Sequence, residues 1–109
     1  MMKSRQEVLK IVSEFRDELS ALYGDRLRGV YLYGSYARDE ADEDSDIDVA
    51  VVLEGPVHRH GEIQRVSELR ASICLRETCV LMPFFLTVED YENAPYSLYR
   101  SIQREAVAV

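Results

Sequence analysis

The sequence predicts a single α/β domain: a small mixed β-sheet with helices packed against it, in the order α-β-β-α-β-α. Three observations carry that prediction. Apolar residues near the N-terminus recur at helical steps. Two segments in the first half are strand-like, and one of them opens on alternating acids. A chain of 109 residues supplies one core, since domains cluster at roughly 100–150 residues.

The first element spans about Ser4 to Tyr23. Val8, Val12, Phe15, Leu19 and Leu22 form its stripe, which Ile11 and Tyr23 widen. Gly24-Asp25 ends it, as a glycine just past the last turn should. Gly29 to Tyr33 is short, β-branched and aromatic, apolar on both faces, and stops at Gly34; it reads as a strand covered on both sides. Asp46 to Leu53 is the second strand. Side chains alternate along a strand, so Asp46 and Asp48 project from one face. Gly55-Pro56 breaks it. A second helix is predicted from about His60 to Arg76, with Ile63, Val66, Leu69 or Arg70, and Ile73 on one stripe. Cys79 to Thr87 is the third strand, and Pro83 assigns it to an edge or a bulge. The tail from Val88 to Glu105 reads as partly helical on Tyr91, Leu98 and Ile102, split at Asn93-Ala94-Pro95.

Composition excludes several classes. The chain carries 20 acids against 13 Lys and Arg, and residues 39–48 alone hold seven acids and no base. The remaining 13 acids balance the 13 bases, so the whole net charge of −7 sits in ten residues. One local acidic feature is expected rather than an acidic coat. The balance also weighs against broad nucleic-acid binding, which needs a basic footprint. No apolar run approaches the roughly 20 residues of a membrane span, and the N-terminus leads into the helical pattern without a signal-peptide core. Cys74 and Cys79 are too few for a disulfide framework, and they read as buried reduced thiols of a cytoplasmic protein.

The chemistry is concentrated in Gly34-Ser35, ten residues, then Asp46-Ile47-Asp48. A strand that ends in Gly34 lets a phosphate approach the backbone, and Ser35 adds a hydroxyl and an N–H as an anion seat. The neighbouring strand returns two carboxylates on one face. Such a pair suits Mg²⁺, which prefers oxygen ligands and shares them with substrate phosphates. A phosphate seat beside a metal seat is what displacement at phosphorus requires. A calcium-loop reading fails on detail, because counting from Asp42 puts Ile47 where glycine is needed.

The pattern G-S-x10-D-x-D, in the context Y-G-S-Y-A-R-D-E-A and S-D-I-D-V-A-V-V-L, resembles the signature of the DNA polymerase β-like nucleotidyltransferase superfamily. The brevity of the chain resembles its minimal nucleotidyltransferases, the antitoxin halves of HEPN–MNT toxin–antitoxin modules. That resemblance implies a polymerase β-like palm fold, with Gly34 and Ser35 as triphosphate contacts and Asp46 and Asp48 as ligands of one or two Mg²⁺ ions. Arg38 matches a basic position that helps with phosphate or partner contacts. It further implies ATP as substrate and AMP transfer to a tyrosine hydroxyl of a HEPN toxin. Larger members carry a second domain for the acceptor; a domain of this size is expected to receive its acceptor from a partner, as a homo- or hetero-oligomer.

The sequence departs from that pattern in one respect. Active members usually add a third carboxylate from a later strand, and Cys79 to Phe85 contains no acid. Either Glu77, just before that strand, reaches in as a catalytic residue, or a partner supplies the acid, or catalysis is weak and the domain works as a binding module. Asp39, Glu40, Asp42, Glu43 and Asp44 read as a solvated loop. His58 and His60 lack a third partner and read as an exposed helix entrance. Tyr36 could stack on a base, and Tyr91, Tyr96 and Tyr99 could form a partner surface.

Overall fold

Ser4 opens the first helix, in a computed structural model that describes residues 3–109. Its hydroxyl accepts the Glu7 N–H at 3.1 Å, and the Glu7 carboxylate accepts the Ser4 N–H at 3.1 Å. This reciprocal cap satisfies two donors the first turn would leave open. Helix α1 (Arg5–Tyr23) buries Val8, Ile11, Val12, Phe15, Leu19 and Tyr23. Leu22, predicted on that stripe, is 42% exposed. The buried row continues from Leu19 to Tyr23 in a step of four, which rotates Leu22 outward.

A short 3₁₀ turn at Gly24–Arg26 leads into β1 (Leu27–Tyr33). Strand β2 (Ile47–Leu53) lies antiparallel to β1, and β3 (Leu81–Thr87) lies parallel to β2. The final strand β4 (Val107–Ala108) pairs antiparallel with β1, so the sheet order is β3-β2-β1-β4. The mixed sheet and its helices match the predicted class. Pro83 sits on an edge strand, as its missing N–H requires. β4 was not predicted, because two residues carry no alternation to read.

The two faces of the sheet have different covers. Val30, Leu32, Val49, Val51, Leu53 and Phe85 belong to the larger core with α1, Val66 and Ile73. Ala50, Val52 and Leu86 pack on the other face with Tyr99 and Ile102. The second core rests on α4 (Val88–Asn93) and α5 (Ser97–Glu105), parted at Ala94, whose φ is +45°, and Pro95. That break falls where the sequence places it. Leu98, an expected apolar position, is 47% exposed, and Tyr99 is buried in its stead.

The predicted helix from His60 to Arg76 is two helices, α2 (Arg59–Arg65) and α3 (Ser67–Glu77), which meet at Val66. Val66 has φ −96° and ψ 2° and no exposure at all. Its burial holds the chain outside helical geometry, which a periodicity count cannot detect. The same break turns Ile63 outward to 40% exposure and takes Glu62 inward. Tyr23 donates its hydroxyl to Glu62 at 2.8 Å, and the His58 N–H reaches the other oxygen at 3.4 Å. Burial and then the bond to Glu62 push the Tyr23 phenol up. Tyr23→Phe leaves a buried carboxylate short of a donor, so a loss of about 1–3 kcal/mol in denaturant unfolding is expected. Nucleotide affinity should not change, because this pair lies on the face away from Asp48.

Arg59 joins the second layer to the edge strand. Its guanidinium stands 4.8 Å from the Phe84 ring centroid and donates to the Phe85 carbonyl at 3.0 Å and to the Tyr99 hydroxyl. Tyr91 stacks on Tyr31 with centroids 4.7 Å apart. Of the three tail tyrosines, Tyr96 alone remains outward, at 68% exposure. Tyr36 is buried in the larger core and is not free to stack on a base. Cys74 and Cys79 are free thiols and half-buried rather than buried; burial first, then Cys74, pushes the Cys79 thiol up to about 11. His58 and His60 are exposed at the start of α2, as expected. Among the described residues no helix is long and apolar enough to cross a membrane.

Candidate active site

Asp48 is the second residue of β2, on the face that also carries Ala50 and Val52. Its cross-strand neighbours are Tyr33 on β1 and Met82 on β3. β1 stops one residue later, at Gly34. Two constraints make that position glycine. Its φ is +79°, in the left-handed region, and a Cβ there would lie 3.1 Å from Asp48 Cγ and 3.2 Å from Asp48 Cβ. The strand end and the carboxylate are therefore packed directly together.

A tight turn follows. The Arg38 N–H donates to the Gly34 carbonyl at 3.0 Å, and the Glu40 N–H to the Ser35 carbonyl at 2.9 Å. Folding back in this way brings Arg38 to the mouth of a cleft of about 430 Å³ shared by Gly34, Ser35 and Asp48, with Ser101 and Glu105 contributed by α5. Asp46, exposed just before β2, where the sequence had placed it inside the strand, lines a separate cleft of about 290 Å³ with Lys3, Ser45 and Thr78. The loop before it is not merely solvated. Asp42 accepts the Asp44 N–H at 2.9 Å, and Ser45 Oγ accepts the Asp42 N–H at 2.9 Å, a local turn that delivers the chain to Asp46.

Charge at this corner is crowded. The Asp48 carboxyl is raised above the usual range by its burial first, then by the Asp46 charge and by Glu105, against the opposing pull of Arg38. Burial, then Asp48 and Glu105, push the Tyr33 phenol up to about 12. Like charges brought together in this way are relieved by a cation, and the oxygen donors suit a hard one such as Mg²⁺. Among the described residues no group of three or more His, Cys, Asp or Glu could hold an ion alone. The protein side therefore offers two carboxylates, and phosphate oxygens and water would complete a shell.

Gly34, Ser35, Arg38 and Asp48 are brought together, with Asp46 alongside. Glu77 is not. It ends α3, pairs with Arg76 at 3.5 Å and lines neither cleft. The β3 residue beside Asp48 is Met82, so that strand offers no acid there. The carboxylate that does reach the cleft is Glu105, which the sequence reading missed. Glu105 accepts the Gly34 N–H at 3.1 Å and two bonds from Arg38, each 3.1 Å. The available signal was Leu98, Ser101 and Glu105, spaced at helical steps on a face of α5 separate from buried Tyr99 and Ile102.

A glycine strand end packed against Asp48, with Arg38 at the cleft mouth, suits a domain that handles polyphosphate substrates. Residues 12–101 match the family model described as "Nucleotidyltransferase domain", and the chain belongs to that family of nucleotidyltransferases. A relative from Methanocaldococcus jannaschii, named "putative protein adenylyltransferase", is 33% identical over 78 residues, covering 71% of this chain and 77% of its own. Two solved structures share the fold. A Sulfolobus solfataricus structure titled "putative nucleotidyltransferase" gives a TM-score of 0.59 at 23% identity, over 99% of this chain and 87% of that one. A mutant of the MntA–HpeT toxin–antitoxin gives 0.56 at 17% identity, over 89% and 70%.

Proposed function

We propose that the domain binds ATP with Mg²⁺ across Gly34, Ser35, Arg38, Asp46 and Asp48. It transfers AMP to a tyrosine hydroxyl of a HEPN-type toxin and so serves as that toxin's antitoxin. The observation that carries this reading is the packing of Asp48 against Gly34, which makes the proposed phosphate and metal seats adjoin. The family, the relative named as an adenylyltransferase and the fold neighbour from a toxin–antitoxin complex support it.

In the transfer, the acceptor oxygen bonds to the α-phosphorus as the bond to the bridging oxygen breaks, and pyrophosphate leaves. Mg²⁺, when bound, neutralises phosphate charge and favours the leaving group. The Gly34 N–H and the Ser35 hydroxyl orient the polyphosphate. Arg38 adds charge-assisted bonds to phosphate. The acceptor proton passes to water at the open cleft mouth, since Met82 rather than an acid stands beside Asp48. Incubation with ATP labelled at the α-phosphate, Mg²⁺ and the protein encoded beside it tests the reading. Label on the partner supports transfer. Absence of label, with toxin neutralisation surviving Asp46→Asn and Asp48→Asn, favours the binding module that the acid-free β3 allows.

Met82 also gives a gain-of-function test. It is 45% exposed, so Met82→Asp should be tolerated, and it would place a third carboxylate one strand across from Asp48. A base beside the acceptor is typically worth about 10²–10⁴-fold. We expect a rise in the label-transfer rate of at least about tenfold, below that range because an engineered base is imperfectly placed. An unchanged rate would remove the missing acid as the bottleneck.

A further inference from the structure

We propose that Glu105 is an internal competitor for the phosphate seat. Its carboxylate takes the groups assigned to nucleotide phosphate and has to swing away before a triphosphate can bind; this regulatory inference rests on the site reading above. Both carboxylate oxygens accept from Arg38 Nη1 at 3.1 Å, and one also accepts the Gly34 N–H at 3.1 Å. A carboxylate bound by a backbone N–H at a strand end and by a guanidinium is held as a phosphate would be. Its side chain is only 15% exposed. Arg38 is 42% exposed, so its ion pair alone contributes little, and the part-buried bond to the Gly34 N–H fixes the carboxylate.

The backbone around Glu105 defines what can move. It is the last residue of α5, and Val107 and Ala108, one residue further on, pair with Leu32 and Tyr31 of β1. The Val109 N–H donates to the Val30 carbonyl at 3.0 Å, and the Ala106 N–H to the Ile102 carbonyl at 2.8 Å. With the main chain fixed on both sides, opening is a side-chain rotation and not a departure of the tail. Arg38 has a second anionic partner, Glu40 at 3.3 Å, so its guanidinium remains paired as Glu105 leaves. A ligand must therefore carry enough negative charge to displace a carboxylate from both donors, which favours a triphosphate over uncharged or singly charged ligands.

The test is titration calorimetry of inorganic triphosphate with Mg²⁺ into the full chain, comparing the wild type with Glu105→Gln and Glu105→Asp. If the seat is open one-tenth of the time, Glu105→Gln should tighten binding about tenfold. Glu105→Asp keeps the charge but shortens the reach to Gly34, so it should also tighten binding, by about threefold on the same population reasoning. Binding by Glu105→Gln at wild-type affinity would overturn the proposal. Weaker binding would overturn it too, since Glu105 would then be positioning Arg38. Tightening in Glu105→Gln alone would reduce the effect to bulk charge and equally overturn it. In those three outcomes the site reading survives; triphosphate binding to none of the proteins would defeat both.

Discussion

Asp48→Asn should abolish label transfer while leaving the chain folded and, at neutral pH, no less stable than the wild type. The expected loss is about three orders of magnitude, or about 4 kcal/mol of transition-state stabilisation, the scale of removing one electrostatic group aimed at developing charge. The stability half follows from linkage. Burial, Asp46 and Glu105 raise the Asp48 carboxyl in the folded chain. Between the ordinary aspartate value and that raised value the folded state holds a proton that the unfolded chain has released, so stability falls as pH rises through this window. Above it the carboxylate is charged in both states and its penalty is fully present. Asparagine has no such charge, so its advantage should be seen at neutral pH and vanish in acid. Thermal melts at neutral and acidic pH measure the difference. A marked destabilisation at neutral pH would show that Asp48 is a structural carboxylate rather than one held at a cost for binding. The same shift sets metal affinity: Mg²⁺ binding should weaken as pH falls through the raised value, because the ligand must be deprotonated.

Gly34→Ala should cost both fold and site. The residue occupies φ +79°, and its added Cβ would press on the Asp48 side chain. Holding a non-glycine residue in such a conformation costs about 1–3 kcal/mol. In a domain of this size about 2 kcal/mol of that corresponds to a fall in Tm of about 8–16 °C. Relief is open only by moving Asp48 or by reorienting the Gly34 N–H, and both dismantle the seat. Mg²⁺-dependent triphosphate affinity should therefore fall at least about tenfold, the effect of about 1.4 kcal/mol. Denaturant unfolding with an unchanged slope separates stability from compactness. Wild-type stability together with wild-type affinity would show that the strand end relaxes freely and that Gly34 is not bound to its site by geometry.

Much of this corner was legible because local rules and long-range placement coincide there. Strand alternation anticipates Asp46 near Asp48, whose carboxyl feels the Asp46 charge although β2 begins only at Ile47, and Gly34 marks a strand end by its lack of a Cβ. Neither inference needs knowledge of the rest of the fold. Pro83 narrowed its own position to an edge or a bulge, and the sheet order makes it an edge. The element order was readable for the same reason, apart from the helix break at Val66 and β4, which pairs only because the chain returns beside β1.

What was not legible depended on tertiary contacts. The single helix expected from His60 to Arg76 is broken because Val66 is drawn fully into the core, and Glu62 replaces Ile63 inside because Tyr23 offers it a hydroxyl. Glu77 was the nearest acid in sequence to the acid-free strand, but α3 ends with it turned toward Arg76. Glu105 lies 57 residues beyond Asp48 and meets it only through the packing of α5 on the second sheet face. Proximity in sequence pointed to Glu77, which lines neither cleft, whereas helix packing brings Glu105 to the cleft of Asp48.

The central claim is that Gly34, Ser35, Asp46 and Asp48 form one seat for a metal and a polyphosphate. Paramagnetic broadening of backbone amide resonances by Mn²⁺, in the presence of a non-hydrolysable ATP analogue, measures this directly. Signals of Gly34, Ser35, Asp46 and Asp48 should broaden together, and Asp48→Asn should suppress the effect. Broadening confined to residues 39–44, with Gly34 and Ser35 unaffected, would contradict the claim and reduce the acidic segment to a loop that attracts cations.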